Sequence, residues 1–224
     1  MRLLIPILII LFVVGCDKTA DSVIPKKFNE SEFTGLVSLG AAYKDIKLDY
    51  ELEDLNGKSI KFTTCHQVDE YDREKILGSQ YRLFTLLQIN CVAAKYYFSG
   101  KPAVNTQFPE KLSLDLVKSF PAVAAPFTSR EDMAKRQNKR LNEYEKKLVL
   151  KSLDNGALTI VARDGEEITY TVMTRADVDN DSIEDIVVRL DWNIPKSFGQ
   201  GFDLLLLSKT SAATPIKLLW RYTK

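Results

Sequence analysis

Between positions 46 and 64 apolar and polar residues take turns along the chain. Ile46, Leu48, Tyr50 and Leu52 alternate with Lys47, Asp49, Glu51 and Glu53, and Ile60, Phe62 and Thr64 resume the alternation after Asn56-Gly57. Successive side chains of a strand point to opposite faces, and Asn-Gly accepts the positive φ of a tight turn. The pattern therefore predicts a β-hairpin with one buried face. From 74 to 98 apolar residues crowd together without alternating, and Leu77, Tyr81, Phe84, Cys91 and Ala94 fall near one helical stripe. A buried helix is the expected element, with a strand as the alternative over 89–98; Gly100 and Pro102 end either one.

Two further helix starts carry capping residues. Ser113 precedes Leu116, Val117 and Phe120, with Pro121 as the stop. Ser129, with Asp132 three residues on, opens a longer helix in which Ala134, Leu141, Tyr144 and Leu148 share a face. After Val149 the texture turns to strands over 157–163, 167–174, 186–190, 202–207 and 216–222, with Asp164-Gly165 as a tight turn between the first pair. Short strands on short connections give an antiparallel meander, and the run Leu204 to Leu207, apolar on both faces, belongs inside it. The expected fold class is α+β, an N-terminal β-hairpin and helices packed on a C-terminal antiparallel β-meander.

The N-terminus stands apart from this pattern. Met1-Arg2 is followed by an apolar run from Leu3 to Val14, interrupted only by Pro6, and then by Gly15-Cys16. A run of about a dozen apolar residues is too short for a hydrocarbon core that takes roughly twenty in helical form, so it reads as a signal peptide. Val13-Val14-Gly15-Cys16 resembles the lipobox of bacterial lipoproteins. The resemblance implies cleavage before Cys16, acylation of its thiol, and attachment to a membrane through two or more acyl chains, which anchor stably where one does not. Asp17 resembles the enteric signal that retains a lipoprotein in the inner membrane, facing the periplasm; the outer membrane is the alternative. The expected organisation is a signal peptide over 1–15, an acylated tether over 16–35 that mixes charge with Pro25, and one domain over 36–224.

Charge narrows the partners. The chain carries 31 basic and 30 acidic side chains, and cleavage at Cys16 removes only Arg2, which balances them. A balanced chain has no field that concentrates nucleic acid, and no nucleic-acid partner is expected. The basic stretch Lys135-Arg136-Gln137-Asn138-Lys139-Arg140 is flanked by Glu131, Asp132, Glu143 and Glu145, which predicts a solvated helix face.

With Cys16 lipidated, Cys65 and Cys91 remain. In an oxidising compartment they are expected to pair, closing a loop of about 26 residues and stabilising the fold by roughly 3 kcal/mol in the entropic view. The rival is a metal site that adds the adjacent His66, the only histidine. Neighbours in sequence seldom aim at one ion and no fourth ligand is evident, which favours the disulfide.

Asp177-Val178-Asp179-Asn180-Asp181-Ser182-Ile183-Glu184-Asp185 places aspartates at alternating positions between two predicted strands. Oxygen ligands so spaced let a curling backbone aim carboxylates at a hard cation, with the Ile183 carbonyl completing the shell. The stretch resembles the Asp-x-Asp-x-Asp-Gly-x-x-Asp calcium loops of FG-GAP and related extracellular repeats, which implies weak, structural Ca2+ binding by Asp177, Asp179, Asp181, Ile183 and Asp185. Ser182 stands where those loops carry glycine, and Val188 stands where an EF-hand carries its bidentate glutamate. The plain alternative is an acidic turn that binds nothing.

No Gly-x-Ser-x-Gly elbow, phosphate-cradling glycine loop or His-Glu-x-x-His motif is present, and a single histidine cannot supply a multi-histidine metal centre. The expectation is a non-catalytic binding or structural module of the cell envelope that meets an envelope protein or the wall. The alternatives are an inhibitor or immunity protein against a wall-lytic enzyme, and a carboxylate-dependent wall hydrolase.

Overall fold

The computed structural model describes residues 23–127, 129–154, 156–195 and 199–223. The lipobox and Cys16 lie outside the described residues. The first described residues are part of the domain: Ile24 exchanges backbone hydrogen bonds with Ala103, and β1 (Lys27–Phe28) pairs with a central strand of the large sheet. The expected tether is thus folded from Ile24 on. Its composition hid this because Phe28 and Phe33 are the apolar anchors of a segment held mainly by polar contacts. Lys26 Nζ donates to the carbonyls of Tyr97 and Gly100 at 2.7 and 3.0 Å.

β2 (Leu36–Ser38) pairs with β3 (Lys47–Leu48), and β4 (Tyr50–Glu53) pairs with β5 (Ser59–Phe62). The predicted hairpin is therefore β4 and β5, closed at Asn56-Gly57 with Asp54 Oδ1 accepting from the N–H groups of Asn56 and Lys58. The first predicted strand splits at Asp49, whose N–H turns to the carbonyl of Gly35 at 2.8 Å. Gly35 has φ +83°, and a Cβ there would lie 2.5 Å from the Tyr50 ring.

α1 (Cys65–Glu70) is capped by the Thr64 hydroxyl, and α2 (Tyr81–Ser99) is the long buried helix. It starts later than the apolar run, because residues 73–80 are two 3-10 turns stitched to the β4 side of the hairpin through Leu77 N–H to Glu53 O and Glu53 N–H to Gln80 Oε1. α2 is apolar around most of its girth, as a helix between two cores must be. Ile89 and Ala93 face the large sheet, while Phe84, Leu87, Cys91 and Ala94 face a second core with Phe33, Leu52, Phe62 and Val68.

β6 (Asn105–Thr106) leads to α3 (Leu114–Lys118), capped by Ser113 as the sequence predicts. Ser129 likewise caps α4 (Arg130–Arg136), but the predicted long helix breaks: Asn138 takes φ +58° and α5 (Leu141–Tyr144) starts afresh. The basic stretch is only in part a solvated face. Lys135, Lys139 and Arg140 are exposed, whereas Arg136 is buried against Asp132 at 3.1 Å with its guanidinium over the Tyr144 ring.

Six strands, β7 (Val149–Asp154), β8 (Ala157–Val161), β9 (Glu167–Ala176), β10 (Ile183–Asn193), β11 (Gln200–Ser208) and β12 (Lys217–Thr223), follow one another in order as an antiparallel meander. β1 and β6 add to it, making eight strands. β7 was not singled out by pattern, being exposed at every position. β10 and β11 are buried on both faces. Ile186, Val188, Leu190, Leu205 and Leu207 meet Phe120, Ala124 and Leu141 on one side; Val187, Leu204 and Leu206 meet α2 on the other.

Glu166, beside Arg163–Gly165 in the turn before β9, is held up to about pH 7 by burial, with Arg136 opposing and Glu145 and Asp132 reinforcing the shift. Its ordinary value is 4.5, so the folded state keeps a proton that the unfolded chain has lost. Stability from this group is full below that value and declines as pH rises through about 7. Glu166→Gln should abolish that decline. Thermal melting of wild type and variant across the window should show the variant gaining on the wild type as pH rises; parallel curves would contradict the assignment.

Candidate metal centre

The acidic loop joins β9 to β10 and is clamped from below by the segment after α2. Lys101 and Asp177 exchange backbone hydrogen bonds at 2.8 and 2.9 Å, and Val104 N–H donates to the Ser182 carbonyl at 2.9 Å. Gly100 permits this approach, since a Cβ there would lie 2.7 Å from the Ala176 Cβ. Both Asn180 and Ser182 take positive φ, +68° and +69°, so the chain curls twice within six residues.

The curl points backbone N–H groups inward at two buried carboxylates. Asp177 Oδ1 accepts from Asn180 at 2.7 Å and Asp181 at 3.1 Å, and its Oδ2 accepts from Ser182 at 3.1 Å. Asp185 Oδ2 accepts from Val178 at 3.0 Å and Asp179 at 3.3 Å. Its other oxygen, Oδ1, is buried without a hydrogen bond of good geometry, with Ser208 as the polar neighbour that favours its ionised form. Burial pushes the Asp185 carboxyl up to about 6 against those donors. Burial and the Asp181 carboxylate raise Asp179 as well.

The geometry brings together Asp177, Asp179 and Asp185, each offering a carboxylate oxygen within 4.8 Å of the others. Asp181 is not in that group; its Oδ1 accepts from Ile183 N–H at 2.8 Å, and Ile183 begins β10 opposite Asn105. Glu184 alternates to the far side and pairs with Arg175 at 2.7 Å. Three convergent carboxylate oxygens with one buried acceptor to spare are hard donors, and the group can hold a divalent metal ion. The clamping residues Lys101 and Val104 could not be foreseen, because they contribute backbone only.

Cys65 and Cys91 form a disulfide with Cα atoms 5.5 Å apart, at the packing of α1 on α2 in the second core. That removes the alternative metal site. His66 points outward instead, 3.2 Å from Glu70 one helical turn on. Among the described residues, no helix is long and apolar enough to cross a membrane. Comparisons with protein-family models, curated proteins and solved structures return no match.

A side chain with a Cβ at Ser182's φ of +69° is strained by roughly 1–2 kcal/mol, of which glycine gives part back through the greater freedom of its unfolded chain. Ser182→Gly is therefore expected to stabilise the protein by about 0.5–1 kcal/mol. Urea unfolding should report it as a higher midpoint with an unchanged slope; a lower midpoint would contradict the strain.

Proposed function

We propose that the protein is a lipid-anchored lipoprotein of the bacterial envelope. Its domain faces the periplasm as a non-catalytic binding or structural module, braced by a disulfide and by a calcium ion on Asp177, Asp179 and Asp185. The observation that carries this reading is the Cys65–Cys91 bond sealed in the second core, both residues being fully buried. A structural disulfide of this kind belongs to an oxidising compartment, which is where a lipobox at Val13-Val14-Gly15-Cys16 sends a chain. The attachment of Ile24 to the domain sets a bound on distance. Eight residues beyond Cys16 reach at most about 28 Å when fully extended, so an anchored domain works close to the headgroups.

Calcium is favoured among hard cations because the donors are carboxylate oxygens on a curled loop, which suits its flexible coordination better than the strict octahedron of magnesium. With three clustered carboxylates and no bidentate glutamate at Val188, the site is weak and structural.

Mass spectrometry of the N-terminal peptide from cells is expected to find Cys16 as the first residue, carrying acyl chains, and Cys16→Ser is expected to release the protein from membranes. An intact N-terminus starting at Met1 would overturn the anchor. For the ion, calcium at tenfold above its dissociation constant adds about 1.4 kcal/mol to the native state, which raises the melting midpoint by a few degrees. Chelator should reverse the rise, and Asp179→Asn, at an exposed position, should abolish it. A midpoint indifferent to millimolar calcium would remove the ion from the proposal.

A further inference from the structure

A cleft of about 730 Å³ lies where the outer ends of β10, β11 and β12 extend past the start of α2. That volume is in the range of small-molecule sites, about 300–1,000 Å³. None of its lining residues belongs to the acidic loop. Its charged lining is three arginines, Arg73, Arg82 and Arg221, against one acid, Asp203. In a chain of net charge +1, this is a local excess of positive charge.

The arginines are held in an unusual way. Each guanidinium lies over an aromatic ring: Arg73 over Tyr81 at 5.3 Å, Arg82 over Phe202 at 4.7 Å, and Arg221 over Phe127 at 4.4 Å. Stacking occupies the face of a guanidinium and leaves its in-plane N–H groups to donate. Arg221 spends its two terminal nitrogens on Asp203 and on the carbonyls of Val123 and Ala125. The side chains of Arg73 and Arg82 form no ion pair or hydrogen bond with a described residue. Asp191 lies within the field of Arg82 but is bound by Arg189 at 2.9 Å. Two planar forks thus remain available, fixed by rings rather than by acids. Trp192 lines the cleft beside Ser79, Thr85 and Gln200, and lies against Gly201 so closely that a Cβ there would sit 2.8 Å from the indole.

We infer that this cleft binds a small organic oxyanion with an aromatic body, its carboxylate or phosphate group taken by Arg73 and Arg82 and its ring packed on Trp192. Guanidinium forks match both groups in bidentate geometry, and the indole supplies the flat apolar surface that a ring buries. The test is calorimetric titration of the full chain in detergent with N-acetylphenylalanine, phenyl phosphate, inorganic phosphate and the neutral N-acetylphenylalaninamide. At least one aromatic anion is expected to saturate, and the tighter of the two identifies the group. The neutral amide and inorganic phosphate should each bind at least about tenfold more weakly. The double variant Arg73→Gln, Arg82→Gln should lose at least about tenfold in affinity while its melting midpoint falls by no more than a few degrees, since Arg82 is exposed, Arg73 is half-buried, and neither side chain carries an ion pair. Failure of both aromatic anions to saturate, equal binding of the amide, or wild-type affinity in the double variant would overturn the inference.

Discussion

A sheet covered on both faces leaves its polar side chains no water, and the central strands of this protein are covered on both. Each charged group there has to bring its own partner, because an unpaired buried charge costs several kcal/mol. Three arginines show how the constraint is met. Arg189, on the α2 side of β10, binds Asp191 on its own strand, Asn90 on α2, and both the carbonyl and carboxylate of Glu32. Arg175, on the opposite face, binds Glu184 and the carbonyls of Pro109 and Glu110. Arg221 binds Asp203 across the strand pair and the carbonyls of Val123 and Ala125. Each arginine therefore ties a segment remote in sequence to the sheet, and the layers are registered by charge as well as by apolar packing.

One irregularity makes that arrangement possible. Between Val187 and Val188 the pairing of β10 with β9 slips by one residue, a β-bulge at Met173. Met173 faces α2, and the Thr174 hydroxyl on the same side donates to the Ala93 carbonyl at 3.0 Å. Beyond the bulge the alternation of β9 is reset, so Arg175 emerges on the face where Glu184 of β10 waits.

The loop and the cleft solve opposite problems by related means. In the loop, negative charge is crowded and the backbone answers with inward N–H groups, leaving Asp185 Oδ1 over. In the cleft, positive charge is crowded and aromatic faces answer, leaving the donors of Arg73 and Arg82 over.

The local elements were legible because short-range physics decides them. Ser113 and Ser129 cap helices since a hydroxyl reaches the third N–H ahead, Asn56-Gly57 turns because glycine tolerates positive φ, and the Leu204–Leu207 run is interior because both its faces are apolar. The pairing of Cys65 with Cys91 and the curl of the acidic loop were legible for the same reason, few residues being able to do anything else. What the chain did not disclose depends on groups distant along it. Residues 24–35 are held by Lys26 on carbonyls and Glu32 on Arg189, far downstream; the helix breaks at Asn138 just after the buried Arg136; and Asp181 turns to the Ile183 N–H instead of joining the carboxylate cluster. The amino-acid pattern by itself determined the elements, the α+β class and the kinds of side chain available for chemistry. Only the tertiary structure decided which of those side chains meet, because a buried charge selects its partner by position in space rather than by place in the sequence.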